Sequence, residues 1–211
     1  MTLHASTLEA IRDVLVPPRC AGCRVAGAWY CVECRDGSDP IARTLGTVAL
    51  TATGAHEGPL REAIHRFKYG NEPGLAAELG ALVGSCIAAD LARGILMDAI
   101  VPVRLHRSRE RERGYDQAHA LALVAGRATG LPVLTAVHRL RSGLAQATLG
   151  QRERQDNVRG AFAGVAGALR GLRVALVDDV ATTGATLLDA AAAARACGAR
   201  GVRAYVVAFE E

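Results

Sequence analysis

The stretch VALVDDVATTGAT, residues 174–186, decides the fold class of this chain. Its apolar first half is typical of a strand that is buried on both faces of a sheet. Two adjacent acids follow, Asp178 and Asp179, and then a loop of small and hydroxyl-bearing residues opens an Ala-rich helix predicted over 185–198. A buried strand that leads through a short polar loop into a helix is the beginning of a parallel α/β unit.

The rest of the chain repeats this alternation of strands and helices. Besides a short helix over 5–15, helices are predicted over 58–67, 74–92, 114–130 and 185–198, and strands over 44–53, 97–103, 131–137, 172–179 and 202–209. Such alternation predicts a mostly parallel sheet with helices on both faces. Ligands bind such sheets at the carboxyl ends of the strands.

The loop after the two acids has the chemistry to hold a sugar phosphate. Backbone N–H groups at the start of the helix, with the hydroxyls of Thr182, Thr183 and Thr186, can surround a phosphate. Gly184 permits close approach of the backbone. The Asp178 and Asp179 carboxylates can accept hydrogen bonds from ribose hydroxyls.

Three alternative roles for this loop fit less well. The chain has no GxxxxGK[ST] motif, which excludes a nucleoside triphosphate loop of that type. A receiver domain also opens on paired acids but needs about a hundred further residues, and only 32 follow Asp179. Ordinary helix capping explains one acid and one Thr, but not both acids together with TTGAT.

Four of the six cysteines form two CxxC pairs separated by seven residues, Cys20 with Cys23 and Cys31 with Cys34. Two such knuckles can place four thiolates around one Zn²⁺ ion. Disulfides and a thioredoxin-type redox motif are the alternatives, and neither suits two successive CxxC pairs in a reducing compartment. With all four ligands from protein, the metal would fold the segment rather than catalyse.

The net positive charge of the chain is small, but its arginines are concentrated in two segments. The formal net charge is +4, but residues 104–113 and 139–159 each hold five Arg against two acidic residues. All basic residues but one are Arg, and the exception is Lys68. That lysine is either a remnant of a compositional bias or a position that needs a compact ammonium group.

These features together resemble the ComF family, also called ComFC or GntX-like. The resemblance is carried by the double CxxC and by four segments in the expected order, RFKYGNEPGLAAELG (66–80), VPVRLHRSRERERGYDQAHALA (101–122), RSGLAQATLGQRERQDNVRGAF (141–162) and VDDVATTGAT (177–186). It covers nearly the whole chain. The family usually has Pro at the position of Arg104, and Phe and Asn at those of Tyr115 and Asp116. It also usually has a further basic residue after the strand near 140, where this chain has Leu140 and Arg141.

The resemblance implies a type I phosphoribosyltransferase-like fold with a small N-terminal zinc module, and a site for phosphoribosyl pyrophosphate (PRPP) with Mg²⁺. Asp178 and Asp179 would hold the ribose hydroxyls, directly or through Mg²⁺, and would be the catalytic residues. The residues that would hold the 5-phosphate are Ala181, Thr182, Thr183, Gly184, Ala185 and Thr186. Those that would bind pyrophosphate are Lys68, Arg107, Arg109, Arg111 and Arg113. A mobile flap over PRPP would contain Arg141, Gln146, Arg152 and Asn157.

The function implied is transfer of a phosphoribosyl group to an unidentified nitrogen acceptor, with a link to DNA uptake in natural competence. His65, His106 and His119 are weak possibilities for a general base. A second hypothesis is a non-catalytic competence protein that binds single-stranded DNA or a helicase through the arginine-rich loops and the zinc module. Its stacking aromatics would be Trp29, Tyr30, Phe67 and Tyr69. A third is that PRPP is only a regulatory ligand.

The polar stretch RDGSDP at 35–40 predicts a domain boundary. We expect residues 1–42 to form an N-terminal helix and zinc-binding module, and residues 43–211 to form the phosphoribosyltransferase-like domain. No basic, apolar leader is apparent and no apolar run is long enough to span a bilayer, so we expect a cytoplasmic protein.

Overall fold

The computed structural model describes residues 17–70, 72–104, 114–140 and 160–210. Its helices are α1 (Val32–Asp36), α2 (Gly58–Tyr69), α3 (Leu75–Ala92), α4 (Gln117–Thr129) and α5 (Ala185–Ala196). Its strands are β1 (Ile41–Leu45), β2 (Val48–Ala55), β3 (Ala99–Pro102), β4 (Val137–Arg139), β5 (Phe162–Gly164), β6 (Arg173–Ala181) and β7 (Gly201–Phe209).

The main sheet has five strands in the order β1-β2-β7-β6-β3. Strands β2, β7, β6 and β3 run parallel, and β1 is an antiparallel edge strand. Strands β4 and β5 form a separate antiparallel pair. The predicted α/β class, a mostly parallel sheet with flanking helices, is confirmed.

Three strand predictions need correction. The strand predicted over 44–53 is two strands, because the chain reverses after Leu45 through Gly46, which has a φ of +54°. The strand predicted over 172–179 continues to Ala181, so the two acids lie inside β6 rather than at its end. The strand predicted over 131–137 is reduced to a single bridge at Val133, and β4 begins only at its last residue.

Alternating residues of β6 divide the core between the two faces of the sheet. Ala175 and Val177 pack with residues of α2, α3 and α4, whereas Val174 and Leu176 pack with residues of α5 and of the β4–β5 pair. Each fully buried Val or Leu side chain among them contributes about 1.5–3 kcal/mol to the free energy of unfolding. A strand covered on both faces reads as a continuous apolar run, which is why β6 could be predicted.

Helix α3 is long and strongly apolar. Among the described residues it is the one helix that is long and apolar enough to cross a membrane by length and composition. Its apolar side chains, however, are buried in the core, Leu79 and Val83 among them. It also carries the fully buried Asp90, which accepts a 2.6 Å hydrogen bond from the Tyr205 hydroxyl and pairs with Arg203 at 3.0 Å. This packing is that of a core helix.

The cysteine segment packs on the same core as α2. Tyr30 is buried against Cys20 and Phe67, and its hydroxyl donates to the carbonyl of Cys34 at 2.9 Å. The helix predicted over 5–15 lies outside the described residues. The boundary predicted after residue 42 stays a prediction, and β1 begins at Ile41, just before it.

Candidate functional site

The parallel strands bring several polar side chains to one edge of the sheet. The last residue of β6, Ala181, is level with Phe209 of β7, and Phe209 is level with Ala55 of β2. The carboxyl ends of these three strands therefore form one continuous edge. The candidate site residues of β6 and of the loop after it lie along this edge.

Asp178 and Asp179 are neighbours on β6 and differ in environment. The backbone N–H of Asp179 donates to Asp178 Oδ1 at 2.9 Å. Burial, and then the charge of Asp179, raise the pKa of the Asp178 carboxyl to about 8. At neutral pH the ligand-free protein therefore holds one proton on this pair of carboxyl groups. Their oxygen atoms can bind a cation or a set of ribose hydroxyls.

Lys68, in the last turn of α2, makes an ion pair with the second of these acids. Its Nζ lies 2.9 Å from Asp179 Oδ1, and both side chains are mostly buried. The compact ammonium thus stands at the edge where the two carboxylates lie. The only lysine of the sequence therefore lies at the candidate site.

The predicted phosphate loop begins at the end of β6 and closes on the start of α5. Thr183 Oγ1 accepts a 3.4 Å hydrogen bond from the N–H of Ala185, and Thr182 is exposed. Gly184 caps the helix with a φ of +74°, and a Cβ there would lie 2.3 Å from Cδ1 of Leu45. Two independent restraints, backbone conformation and contact with β1, therefore demand glycine at this position.

A second loop, residues 114–116, fixes the end of α2. The Tyr115 hydroxyl donates to the carbonyl of Phe67, and the two rings are 5.4 Å apart. Asp116 is the N-cap of α4, accepting from the N–H of His119 at 3.0 Å, and it also accepts from Arg104 Nε at 2.9 Å. Two of the departures from the family pattern, Arg104 and Asp116, are thus partners of each other.

His56 was not predicted from the sequence. It follows β2 at the same edge, and its Nδ1 lies 3.6 Å from Glu210 Oε2. Burial, together with Lys68 and Arg61, lowers its pKa in spite of Glu210 and Asp179. The signal that could have found it is its place directly after a strand of the parallel sheet.

The other predicted histidines are placed differently. His65 packs against the exposed Tyr69, with ring centroids 5.2 Å apart, and the backbone of His119 belongs to the first turn of α4. His106 lies outside the described residues. So do the predicted pyrophosphate residues Arg107, Arg109, Arg111 and Arg113 and the predicted flap residues Arg141, Gln146, Arg152 and Asn157.

The structure brings the four clustered cysteines together. The Sγ atoms of Cys20, Cys23, Cys31 and Cys34 all lie within 4.8 Å of one another. Tetrahedral Zn²⁺ with Zn–S bonds of about 2.3 Å requires S···S separations of about 3.8 Å, which this cluster can supply. The cluster therefore fits a structural metal site.

Local contacts favour a thiolate at Cys20 but oppose one at Cys31 and Cys34: the pKa of Cys31 is raised, and burial raises the pKa of Cys34 to about 11. Burial opposes ionisation of Cys20, but N–H groups of Cys31, Cys23 and Gly22 outweigh it and lower the pKa of Cys20 to about 6. The N–H of Cys31 donates to Cys20 Sγ at 3.3 Å. A Cβ on Gly22 would lie 2.7 Å from Cys34 Sγ, so the first knuckle needs glycine to approach the second. The other two cysteines lie elsewhere: Cys197 is buried and Cys86 partly so.

Comparison with known proteins finds relatives that match most of this chain. No family model matches the chain. Competence protein F of Haemophilus influenzae is 29% identical over 204 residues, covering 90% of this chain and 89% of that protein. This chain is a homologue of Competence protein F. DNA utilization protein YhgH of Salmonella typhimurium is 29% identical over 190 residues, covering 87% of this chain and 79% of that protein. The predicted resemblance to the ComF family is confirmed.

Among solved structures, glutamine PRPP amidotransferase of B. subtilis, complexed with ADP and GMP, has a TM-score of 0.44 and 23% identity. The allosteric regulatory enzyme of purine biosynthesis has a TM-score of 0.44 and 22% identity. Each likeness covers 64% of this chain, but the chain spans only about a quarter of those proteins, 27% and 26%. We therefore describe the fold of this chain from its own sheet, helices and cysteine cluster.

Proposed function

We propose that this protein binds PRPP with Mg²⁺ at the carboxyl edge of the sheet and transfers its phosphoribosyl group to a nitrogen acceptor. The observation that carries the proposal is the 2.9 Å ion pair of Lys68 with Asp179, beside Asp178 and the loop that opens α5. A carboxylate pair, an ammonium and a helix N-terminus are the three kinds of group that a phosphorylated ribose with a pyrophosphate requires.

Each part of this edge has a role in the proposal. The loop from Ala181 to Thr186 holds the 5-phosphate through backbone N–H groups and threonine hydroxyls. The Asp178–Asp179 pair binds the ribose hydroxyls. Its oxygen donors also fit Mg²⁺, which, when bound, neutralises the charge that develops on pyrophosphate. When PRPP binds, Lys68 breaks its ion pair with Asp179 and pairs with the pyrophosphate instead.

The cysteine cluster holds structural Zn²⁺ in this proposal. A site with four protein thiolates leaves no open position for substrate, so the metal contributes to folding of the module. Reduced thiols are kept in the cytoplasm, which is where we place the protein.

The names of the homologues support a context of DNA utilization and competence. Direct binding of single-stranded DNA is the weaker alternative. Tyr30 and Phe67 are fully buried, and only Tyr69 of the four proposed stacking residues is largely exposed. A groove that stacks bases needs accessible rings. We therefore assign the arginine-rich segments to the pyrophosphate rather than to a nucleic acid.

The test is release of pyrophosphate from PRPP and Mg²⁺ across a panel of nucleobases. The zinc-loaded protein is compared with an Asp178→Asn/Asp179→Asn variant of equal zinc content. We expect release that depends on one acceptor and is lost in the variant. A folded protein that binds PRPP but releases no pyrophosphate with any acceptor would contradict the transferase part of the proposal.

A further inference from the structure

A cleft of about 640 Å³ lies between the cysteine segment and the turn that joins β2 to α2. Glu33, Ser38 and Asp39 line it from the first side, and Ala55 and Glu57 from the second. Pockets for small organic molecules have volumes of roughly 300–1,000 Å³. The cleft thus has the size of a pocket for a ring compound, and apart from the two cysteines that it shares with the metal cluster none of the roles described above uses it.

The cleft lies at the carboxyl edge of the sheet, along which the β6–α5 loop also begins. Ala55, one of its lining residues, is the last residue of β2, and it is level with Phe209, which is level with Ala181 of β6. Adjacent strands are about 4.8 Å apart, so Ala55 lies about 10 Å from Ala181 across β7. A ligand in the cleft would therefore stand beside a sugar phosphate held by the β6–α5 loop.

The cleft has an apolar floor and an acidic rim. Ile41, Ala55 and Pro59 contribute apolar surface, and Leu60 beneath them is fully buried. The charged side chains at the rim are all acidic: Glu33, Asp39 and Glu57. Cys23 and Cys34 also line the cleft, and a Zn²⁺ ion held by four thiolates adds further negative charge.

We propose that this cleft holds the acceptor of the phosphoribosyl group, and that the acceptor is a neutral or cationic ring bearing an amino group. The inference rests on the function proposed above and names the substrate class of the same site. The apolar floor packs against a flat ring, and the acidic rim accepts hydrogen bonds from its N–H groups. A carboxylated ring meets like charge from both sides of the cleft, with no basic side chain among the lining residues, and is rejected.

The first experiment measures binding of four probe rings to the zinc-loaded full chain by calorimetry, with PRPP and Mg²⁺ titrated separately. Adenine and cytosine represent amino-bearing rings, and orotate and nicotinate represent carboxylated rings. We expect the amino-bearing probes to bind at least tenfold more tightly than the carboxylated probes. The reverse order overturns the inference. If PRPP binds and no amino-bearing probe does, the cleft assignment fails while the proposed function stands; if PRPP fails to bind, the proposed function itself fails.

Variants then locate the probe in the cleft. Glu57→Gln and Asp39→Asn each remove one rim charge with little change of shape, and we expect each to weaken binding of the amino-bearing probe three- to tenfold. Glu62→Gln is the matched control. It removes the same charge from a residue of α2 that does not line the cleft. Equal affinity in all three variants and the wild type would place the probe elsewhere and overturn the assignment.

Discussion

Lys68 Nζ and Asp179 Oδ1 lie 2.9 Å apart, joining the last turn of α2 to β6. Both side chains are mostly buried. Loss of one partner leaves the other as an unpaired buried charge. The pair is therefore both a structural restraint and, in our proposal, the point at which an incoming polyanion displaces a carboxylate.

Replacement of the lysine tests that role. We expect Lys68→Met to weaken binding of PRPP with Mg²⁺ by roughly 10- to 100-fold, because one charge-assisted contact to pyrophosphate is lost. Arg127→Ala is the control, since Arg127 is an exposed basic residue in the last turn of α4. Calorimetry of both folded variants checks the prediction, and equal losses would show that only general charge matters.

The raised pKa of Asp178, about 8, predicts how stability depends on pH. The carboxyl titrates near 4 in the unfolded chain, so between about pH 4 and pH 8 the folded state holds a proton that the unfolded state has lost. This contribution is complete at low pH and is lost as the pH rises through 8. We therefore expect the free energy of unfolding of Asp178→Asn to fall less between pH 5 and pH 8.5 than that of the wild type.

Urea unfolding of the ligand-free, zinc-loaded proteins measures this difference. Asp179→Asn is the informative companion, because removing the neighbouring negative charge lowers the pKa of Asp178 and should also flatten the curve. If wild type and Asp178→Asn show parallel curves, Asp178 is ionised in the folded protein.

Gly184 predicts a specific steric effect. We expect Gly184→Ala to lower the free energy of unfolding by about 1–3 kcal/mol more than Gly171→Ala. Both glycines have a φ of +74°, but a Cβ at 184 meets Leu45, whereas nothing lies within 4 Å of a Cβ at 171. Leu45→Ala should restore part of the loss in the double variant. Equal costs at the two glycines would mean that only backbone conformation counts.

The cysteine cluster predicts the metal content. We expect one zinc per chain in the purified protein and its loss in Cys31→Ser, because three thiolates do not complete the tetrahedral set. Cys86→Ser is the matched control, since Cys86 lies on α3 outside the cluster. Elemental analysis and thermal unfolding give the readouts, and unchanged zinc in Cys31→Ser would contradict the assignment.

The pairing of Arg104 with Asp116 predicts a coupled substitution. Asp116→Asn keeps a cap acceptor but loses the ion pair, so it should cost less than Asp116→Ala, which also loses about 1 kcal/mol of capping. A double-mutant cycle with Arg104→Ala measures the coupling, expected at about 0.5–3 kcal/mol. Additive effects would show that these two departures from the family pattern are independent.

The features predicted best from the sequence are those that depend only on residues close together in the chain. The β6 strand and the two CxxC pairs are local patterns. A buried parallel strand is a continuous apolar run, and a zinc-binding CxxC pair is recognised by the spacing of its two cysteines. The turn at Gly46 was missed because the apolar run continues through it. The contact of Lys68 with Asp179 and the place of His56 beside Glu210 depend on strand order, which no local pattern contains.

The most direct test of the central claim is calorimetry of PRPP with Mg²⁺ on the wild type and on Asp178→Asn/Asp179→Asn. We expect the wild type to bind PRPP with micromolar affinity, and we expect that binding to be lost in a variant that remains folded and zinc-loaded. Equal binding by the two proteins, or no binding by a folded wild type, would contradict the claim that this edge of the sheet is a PRPP site.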